Sequence, residues 1–121
     1  MNGNNEKGII LILDDDKEIV QDLKGLFIGV GYDVLTASSK AEAIAAINAI
    51  RFDVIILEVN MLHGIEILKH IKVKKSKSKI IVYSRCDYET KTNVESIGIN
   101  EFLPKSAEIS MLVDAVQHVL K

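Results

Sequence analysis

The sequence is poor in several residue types, and each scarcity excludes a class of protein. Its 121 residues include no tryptophan, one proline and one cysteine. A single cysteine, Cys86, excludes a disulfide framework and any zinc site built on cysteines. No apolar run approaches the length of about 18 residues that a membrane-spanning helix requires. We therefore expect neither a disulfide-rich secreted domain nor a membrane protein.

The balance of charges argues against nucleic acid as a partner. Fifteen lysine and arginine residues nearly match 17 aspartate and glutamate residues, so the formal net charge is −2. Residues 69–79 hold six lysines and one histidine, but no aromatic side chains lie between them for base stacking. We interpret this stretch as a solvated helix end and loop. No nucleic-acid partner is therefore expected for this domain.

The length and the N-terminal residues indicate one domain in the cytoplasm. A chain of 121 residues fits a single domain, which we place over residues 1–121. Residues 1–8 are polar and lack the apolar segment of a signal peptide. We expect residues 1–7 to form a flexible N-terminus and the protein to be cytoplasmic.

Two kinds of hydrophobic segment alternate along the chain. Continuous apolar runs of strand length have the composition of strands covered on both faces, and helical apolar periods lie between them. The continuous runs are Gly8–Leu13, Asp53–Leu57 and Lys79–Tyr83, and Tyr32–Thr36 and Asn100–Leu103 are shorter and weaker versions of them. The helical segments are 19–30, 41–50, 65–71, 88–97 and 109–120.

This alternation predicts an α/β fold with five βα units. Strands joined through helices are parallel, with right-handed crossovers. Five units are too few for an eight-stranded barrel. The remaining architecture is a doubly wound, five-stranded parallel sheet of flavodoxin type, with strand order 2-1-3-4-5.

Polar residues follow four of the predicted strands. Asp14 to Asp16 come after the first, Glu58 after the third, Ser84 after the fourth and Lys105 after the fifth. Parallel strands place these residues at one edge of the sheet, where ligands bind. Clustered carboxylates favour a hard cation such as Mg²⁺, and a hydroxyl with an ammonium suits a phosphoryl group. The residues thus predict a Mg²⁺-assisted phosphate site, or its remnant.

Four stretches resemble the receiver domain of two-component response regulators, and the resemblance covers nearly the whole chain. Residues 12–19 are similar to the first strand and acid pocket of that family, and residues 51–58 to the third strand. Residues 81–84 resemble the fourth strand with its hydroxyl, and residues 98–105 the fifth with its lysine. The resemblance implies a flavodoxin-like receiver that acts in phosphorelay signal transduction and is not an enzyme.

The resemblance also implies a metal site. Asp14 and Asp15 take the positions of the acid pair, of which one binds Mg²⁺ directly and the other through water. Glu58 stands at the phospho-acceptor position, and Asn60 would offer its backbone carbonyl to the metal. We expect Mg²⁺ binding to be weak or lost, because Glu58 is longer than the usual aspartate.

The positions that would contact the phosphoryl group also follow from the resemblance. Ser84 would hydrogen-bond a phosphoryl oxygen, and Lys105 would pair with it. Without metal, we expect Lys105 to form an ion pair with Glu58 or with one of the two acids. Ser84 and Phe102 take the positions of the family's switch residues.

The partners implied by the resemblance are of two kinds. A histidine kinase or a phosphotransfer protein would supply the phosphoryl group. A downstream protein, or a second copy of the chain, would bind the face formed by the fourth helix, the fifth strand and the fifth helix. We centre this face on Tyr88, Phe102 and Met111.

Four departures from the family pattern surround the predicted site. Glu58 replaces the acceptor aspartate, and the loop Val59–Gly64 is shorter than the usual one. Arg85 stands where the family favours a small residue, and the usual lysine–proline order is reversed in Pro104–Lys105. The strands and the pocket residues are retained, whereas the loop that carries the chemistry is not standard.

Three functions remain open at this point. The chain is a receiver that accepts a phosphoryl group, an unphosphorylated pseudo-receiver that binds proteins in one state, or a small Mg²⁺-dependent phosphohydrolase. The third rests on Asp14-x-Asp16, which resembles a haloacid-dehalogenase motif, but Glu18 stands where that family needs threonine or valine. We favour signalling without ordinary phosphorylation, because the longer Glu58 side chain displaces its carboxylate.

Overall fold

The structure is a computed structural model that describes residues 7–74 and 77–121. Of the N-terminal segment that the sequence predicts to be flexible, residues 1–6 lie outside the described residues, as do residues 75–76 of the lysine-rich stretch. Within the two described ranges, no helix has both the length and the apolar character needed to cross a membrane.

Strands and helices alternate five times over the described ranges. The strands are β1 (Ile9–Leu13), β2 (Asp33–Ala37), β3 (Val54–Leu57), β4 (Lys79–Ser84) and β5 (Glu101–Pro104). The helices are α1 (Lys17–Val30), α2 (Lys40–Ala49), α3 (Gly64–Val73), α4 (Tyr88–Ile97) and α5 (Ile109–Val119). All strand pairs are parallel, in the order β2-β1-β3-β4-β5. The predicted doubly wound, flavodoxin-like sheet is confirmed.

Helices cover both faces of the sheet, and β1 shows how the sequence achieves this. Ile10 and Ile12 pack into a core with α1 and α5, whereas Leu11 and Leu13 pack into a second core with α2, α3 and α4. All four side chains are fully buried, and each contributes about 1.5–3 kcal/mol relative to an exposed position. A strand buried on both faces has no solvent side, so its sequence is apolar throughout.

The second strand begins one residue later than predicted. Gly31 ends α1 with a left-handed backbone, at a φ of 111°, and this turn directs the following side chain back onto the helix. Tyr32 therefore packs its ring edge-on against Phe27, with the centroids 5.8 Å apart. Its side chain belongs to the core beneath α1, and pairing with β1 starts at Asp33.

The loop between β3 and α3 is folded tightly against itself. The backbone N–H of Met61 donates to the Glu58 carbonyl, and that of Gly64 donates to the Met61 carbonyl, at 3.3 and 2.9 Å. His63 adopts a left-handed backbone with a φ of 63°. A Cβ atom on Gly64 would lie 2.3 Å from the carbonyl oxygen of Val59. The shortened loop thus depends on a glycine at its last turn.

We expect Gly64→Ala to lower the free energy of unfolding by about 1–3 kcal/mol, because the added methyl group would overlap the Val59 backbone. Gly25→Ala is the matched control. Nothing lies within 4 Å of a Cβ at Gly25, inside α1, so that change should raise stability by about 0.5–1 kcal/mol. Urea denaturation of both variants measures the difference. Equal, small effects would show that the loop moves freely and that Gly64 is not required.

Candidate functional site

Three polar or charged residues are buried among the described residues, and all three lie at one edge of the sheet. Asp14 follows β1, Glu58 follows β3, and Ser84 ends β4, with exposures of 3%, 6% and 0%. Paired residues at the carboxyl ends of these strands bring them together: Leu13 pairs with Leu57, and Leu57 with Val82. The cluster is therefore produced by the parallel sheet itself.

Lys105 joins two of these side chains from the end of β5. Its Nζ lies 2.9 Å from Oδ2 of Asp14 and 3.1 Å from Oε1 of Glu58. The lysine side chain is 8% exposed, and its Nζ also lies 5.4 Å from the centroid of the Tyr83 ring. The ion pair that the sequence predicts is thus present, and it includes both carboxylates rather than one.

The two carboxylates determine the charge state of the lysine. Burial lowers the pKa of Lys105, but the hydrogen bonds and charges of Asp14 and Glu58 outweigh burial, so this pKa lies above its ordinary value of 10.5. Lys105 is therefore an ammonium at neutral pH and can neutralise the acids around it.

The second carboxylate oxygen of Glu58 is held by two further donors. Oε2 accepts a hydrogen bond from the backbone N–H of Asn60 at 2.9 Å and another from the hydroxyl of Ser84. With Lys105 on Oε1, three donors from three segments fix the Glu58 carboxylate. The tight β3–α3 loop turns the Asn60 N–H back toward the end of β3, so the altered loop and the altered acceptor residue fit each other.

The three consecutive aspartates have different surroundings. Asp14 is buried, and its Oδ1 accepts from the backbone N–H of Asp16 at 2.9 Å. Asp16 caps α1, because its Oδ1 accepts from the backbone N–H groups of Glu18 and Ile19 at 3.0 and 3.2 Å. Asp15 is exposed. The structure thus places Asp14 inside the cluster, Asp15 at its rim and Asp16 in the helix cap.

A cavity of about 220 Å³ opens above the cluster. Its lining residues are Asp14, Asp15, Asp16, Glu58, Asn60, Arg85 and Lys105. Sequence reasoning assigned no role in the site to Arg85, which lines this cavity. The one feature of the sequence that could have indicated this role is the large basic side chain directly after Ser84, where the resemblance implies a small one. The exposed guanidinium adds a second cation at the rim of an acidic cavity.

The arrangement departs from the magnesium site that the sequence predicts. Its oxygen donors suit a hard cation, but the described residues contain no group of three or more His, Cys, Asp or Glu side chains placed to hold a metal ion. The Lys105 ammonium bridges Asp14 and Glu58, while Oε2 of Glu58 is turned to Ser84 and Asn60. Asn60 meets the cluster through its N–H. In this arrangement the residues do not fit a bound Mg²⁺.

Phe102, at the predicted switch position, lies away from this cavity. It is partly buried and packs against the core that includes α4. The ammonium of Lys91, on α4, lies 5.3 Å from the centroid of its ring. Its connection to the cluster is through the chain, because β5 ends at Pro104 and leads directly into Lys105.

We expect Lys105→Met to lower the free energy of unfolding by about 3–5 kcal/mol at neutral pH, since it leaves two buried carboxylates without a counter-charge. Lys40→Met is the matched control. Lys40 forms an exposed ion pair with Glu66 at 2.8 Å, and such pairs contribute less than about 1 kcal/mol. Chemical denaturation at pH 7 compares both variants with the wild type. A loss below 1 kcal/mol for Lys105→Met would show that the bridge adds no net stability.

The stability difference between the wild type and Lys105→Met should also depend on pH in the alkaline range. Because the pKa of Lys105 is raised on folding, its contribution is complete below the unfolded pKa of about 10.4 and is lost as the pH rises through the folded pKa. The stability difference between wild type and Lys105→Met should therefore be constant from about pH 7 to 9 and shrink above about pH 10.5. A difference that persists unchanged at high pH would contradict a charged bridge.

Known proteins are similar to this chain in sequence and in fold. The family model described as "Response regulator receiver domain" matches residues 10–117. The receiver domain of the Francisella response regulator 1452 is 31% identical with a TM-score of 0.86, over 93% of this chain and 96% of that one. The Vibrio cholerae chemotaxis protein CheY4 is 30% identical with a TM-score of 0.84, over 93% and 98% of the two chains.

Curated relatives are longer proteins. The alkaline phosphatase synthesis transcriptional regulatory protein PhoP of Bacillus subtilis is 32% identical over 99 residues, which cover 79% of this chain and 41% of that protein. The chain spans between about a quarter and about a half of the length of the curated relatives it matches. The family model covers most of the chain, and the solved receivers share its fold. The chain therefore belongs to the response regulator receiver domain family of two-component signalling.

Proposed function

We propose that this receiver domain signals without ordinary phosphorylation, as a pseudo-receiver in which Glu58 supplies a permanent negative charge. One observation supports the proposal above all. The Glu58 carboxylate itself accepts the hydrogen bond from the Ser84 hydroxyl and pairs with the Lys105 ammonium. The resemblance assigns these two groups to the phosphoryl oxygens. Receiver domains are generally signalling modules rather than enzymes, and this function requires no turnover.

The length of the Glu58 side chain opposes phosphoryl transfer. Glutamate carries its carboxylate one methylene, roughly 1.3–1.5 Å, further from the backbone than aspartate does. Phosphoryl transfer depends on positioning, and a displacement of about 1 Å can reduce the rate about 100-fold. Both carboxylate oxygens are also engaged by donors. A phosphodonor would have to approach a displaced nucleophile whose two oxygens already accept from three donors.

A fixed carboxylate has a consequence for the conformation of the domain. A receiver responds when its two arrangements differ in their interaction with the phosphoryl group. Here Ser84 and Lys105 contact an acid that is always present. The hydrogen bond from Ser84 joins the ends of β3 and β4, and Lys105 joins β5 to the same acid. We therefore expect one arrangement to dominate at all times.

The competing functions each require a change in this network. Ordinary phosphorylation at Glu58 would need Ser84 and Lys105 to leave the carboxylate. A phosphohydrolase of the haloacid-dehalogenase type would need Asp16 as a second acid, but this carboxylate caps α1. The pseudo-receiver requires no such change, and this supports it over the other two functions.

We further propose a downstream protein partner on the surface of α4, β5 and α5, within the cytoplasm. Tyr88 and Met111 are 82% and 48% exposed there. Of the ten residues of α4, all described, Val94 is the one buried residue, so this helix is held by little apolar contact and shifts at low cost. A histidine kinase or phosphotransfer protein is not required for the proposed state.

Glu58 should not gain a phosphoryl group from acetyl phosphate in Mg²⁺, because its carboxylate is displaced and occupied. Intact-mass measurement of the wild type should show no phosphoryl adduct after incubation. Glu58→Gln is the control for modification elsewhere in the chain, since it lacks the carboxylate. A Mg²⁺-dependent adduct in the wild type that is absent from Glu58→Gln would overturn the proposal.

Receiver domains commonly bind Mg²⁺ at this site, and we expect binding here to be weak, because the cation must displace Lys105 from Asp14 and Glu58. Millimolar Mg²⁺ should raise the melting temperature of the wild type only slightly, by mass action on the folded state. Glu58→Asp, which withdraws the carboxylate by one methylene, should give a larger shift, and adding Asp15→Asn should remove it. Saturation of the wild type at micromolar Mg²⁺ would contradict the displaced geometry.

A further inference from the structure

A second cavity lies at the end of the sheet opposite the polar cluster, where α2 and α3 both end. Phe52, before β3, and Ser78, before β4, are among its lining residues. Its volume of about 490 Å³ exceeds the 220 Å³ of the cavity above Glu58, and small-molecule sites typically measure about 300–1,000 Å³. We call it the basal cavity.

The floor of the basal cavity is apolar. Ile47 of α2, Phe52 and Ile55 of β3 line it, and their exposures are 9%, 2% and 1%. Ile50, which follows α2, also lines the cavity and is partly buried. An apolar group that entered the cavity would therefore leave water for an apolar surface, which favours binding.

The rim of the basal cavity is basic. Arg51, Lys74 and Lys77 line it and are exposed, and none of its described lining residues is acidic. Among the described residues, none of these three cations forms an ion pair. The acid closest to Arg51 in the chain, Asp53, is turned to β1, where its Oδ2 accepts from the N–H of Ile9 at 2.8 Å. Three positive charges thus border one apolar cavity.

The two helix ends do not by themselves account for these cations. The C-terminal end of a helix carries a partial charge of about −0.5, so α2 and α3 together offer about −1. Lys72 already lies in the last turn of α3, and the three cations of the rim add a formal charge of +3. A positive charge of about 2 is left over, and a phosphate monoester carries a charge of about −1.5 to −2 at pH 7.

Hydrogen bonds hold the walls of the basal cavity in place. The hydroxyl of Ser78 donates to the carbonyl of Phe52 at 2.6 Å, which joins the residues that precede β3 and β4. Nε2 of His70 on α3 lies 3.3 Å from Oδ1 of Asn48 on α2. The floor and the two helix ends are thus connected before any ligand binds, and a pre-formed site loses less conformational freedom on binding.

Nucleic acid fits the basal cavity poorly, although its rim is basic. Proteins that bind single strands offer the faces of aromatic rings on which bases stack. Phe52 is the one aromatic residue among the described lining residues, and it is only 2% exposed. The basal cavity therefore suits a small anion with an apolar part better than a polynucleotide.

We propose that the basal cavity binds a phosphate monoester with an apolar body. The apolar body would lie on the buried floor, and the phosphate oxygens would be bound by Arg51, Lys74 and Lys77. The planar guanidinium of Arg51 can donate two parallel hydrogen bonds to a phosphate. This site goes beyond the proposed function, because the basal cavity shares no lining residue with the cavity above Glu58.

The probe is 1-naphthyl phosphate, and isothermal titration calorimetry with the full chain measures its affinity. We expect saturable binding of one molecule per chain. Inorganic phosphate lacks the apolar body and 1-naphthol lacks the charge, so each should bind at least about tenfold more weakly, a difference of about 1.4 kcal/mol. Added salt should weaken the binding of 1-naphthyl phosphate, because the cations of the rim are exposed.

Charge variants locate the site on the protein. Arg51→Gln/Lys77→Gln should weaken 1-naphthyl phosphate at least about tenfold. The matched control, Lys24→Gln/Lys121→Gln, removes the same charge from α1 and from the residue that ends the chain after α5. Because α1 and α5 cover the other face of the sheet, this control should leave the affinity within about twofold. Thermal melting verifies that each variant is folded.

A second pair of variants places an acid at the rim without touching the floor. Ala49 is exposed and lines the basal cavity, so Ala49→Glu should repel the phosphate and weaken binding at least about tenfold. Ala41→Glu is the matched control, because Ala41 is exposed at the other end of the same helix. It should bind like the wild type.

The same phosphate monoester occurs as the headgroup of phosphatidic acid, so a further experiment distinguishes the two sources. Co-sedimentation with vesicles of phosphatidylcholine and phosphatidic acid measures lipid binding. Binding of 1-naphthyl phosphate without vesicle binding would identify a soluble ligand. Vesicle binding that 1-naphthyl phosphate displaces, and that Arg51→Gln/Lys77→Gln lacks, would identify the lipid headgroup.

Four results would overturn the proposal. They are no saturable binding of 1-naphthyl phosphate at millimolar concentration, equally tight binding of 1-naphthol or inorganic phosphate, an equal effect of the two charge-variant pairs, and loss of binding in Arg85→Gln. The last result would move the ligand to the cavity above Glu58. The phosphorylation test at Glu58 is independent of all four.

Discussion

The Lys105 ammonium between Asp14 and Glu58 is the interaction on which the functional edge of this domain depends. Two buried carboxylates at neighbouring strand ends would repel each other strongly in a site with little water. The lysine contacts both, at 2.9 and 3.1 Å, and Asp14 lies 91 residues away from it in the chain. One side chain thereby ties the carboxyl ends of β1, β3 and β5. The hydroxyl of Ser84 and the N–H of Asn60 hold the other oxygen of the Glu58 carboxylate.

The same bridge connects the site to the proposed docking surface of α4, β5 and α5. β5 is only four residues long, and it carries Glu101 and Phe102 at its start and leads directly into Lys105. We expect displacement of this strand by a partner to change the position of the ammonium relative to Glu58. Helix α4 adds compliance, because Val94 is its one buried residue and Lys91 lies over the Phe102 ring. The proposed docking surface and the polar cluster are thus connected by one short segment, β5 and Lys105.

The sequence alone predicts the fold well, because the responsible signals are local. A run such as Ile10 to Leu13, apolar at every position, indicates a strand buried on both faces, and acids directly after it mark the edge of a parallel sheet. The positions of Asp14, Glu58, Ser84 and Lys105 follow from that topology.

The direction of each polar contact is not a local property. The hydrogen bonds that Glu58 accepts depend on where the shortened loop places the Asn60 N–H. That loop in turn depends on the left-handed backbone of His63 and on the close approach of Gly64 to Val59. The magnesium site expected at Asp14, Asp15, Glu58 and the Asn60 carbonyl stays a prediction, since composition indicates oxygen donors but not where they point, and here Asn60 contacts Glu58 through its N–H.

The Glu58 carboxylate is part of the polypeptide and not a group added after synthesis. On the proposed function, no kinase sets this signal and no phosphatase removes it, so each folded molecule carries it from the moment of folding until degradation. The cell could then adjust the output only through the number of molecules present or through the supply of the partner. A domain of a family that reports a chemical modification would in this case report its own abundance.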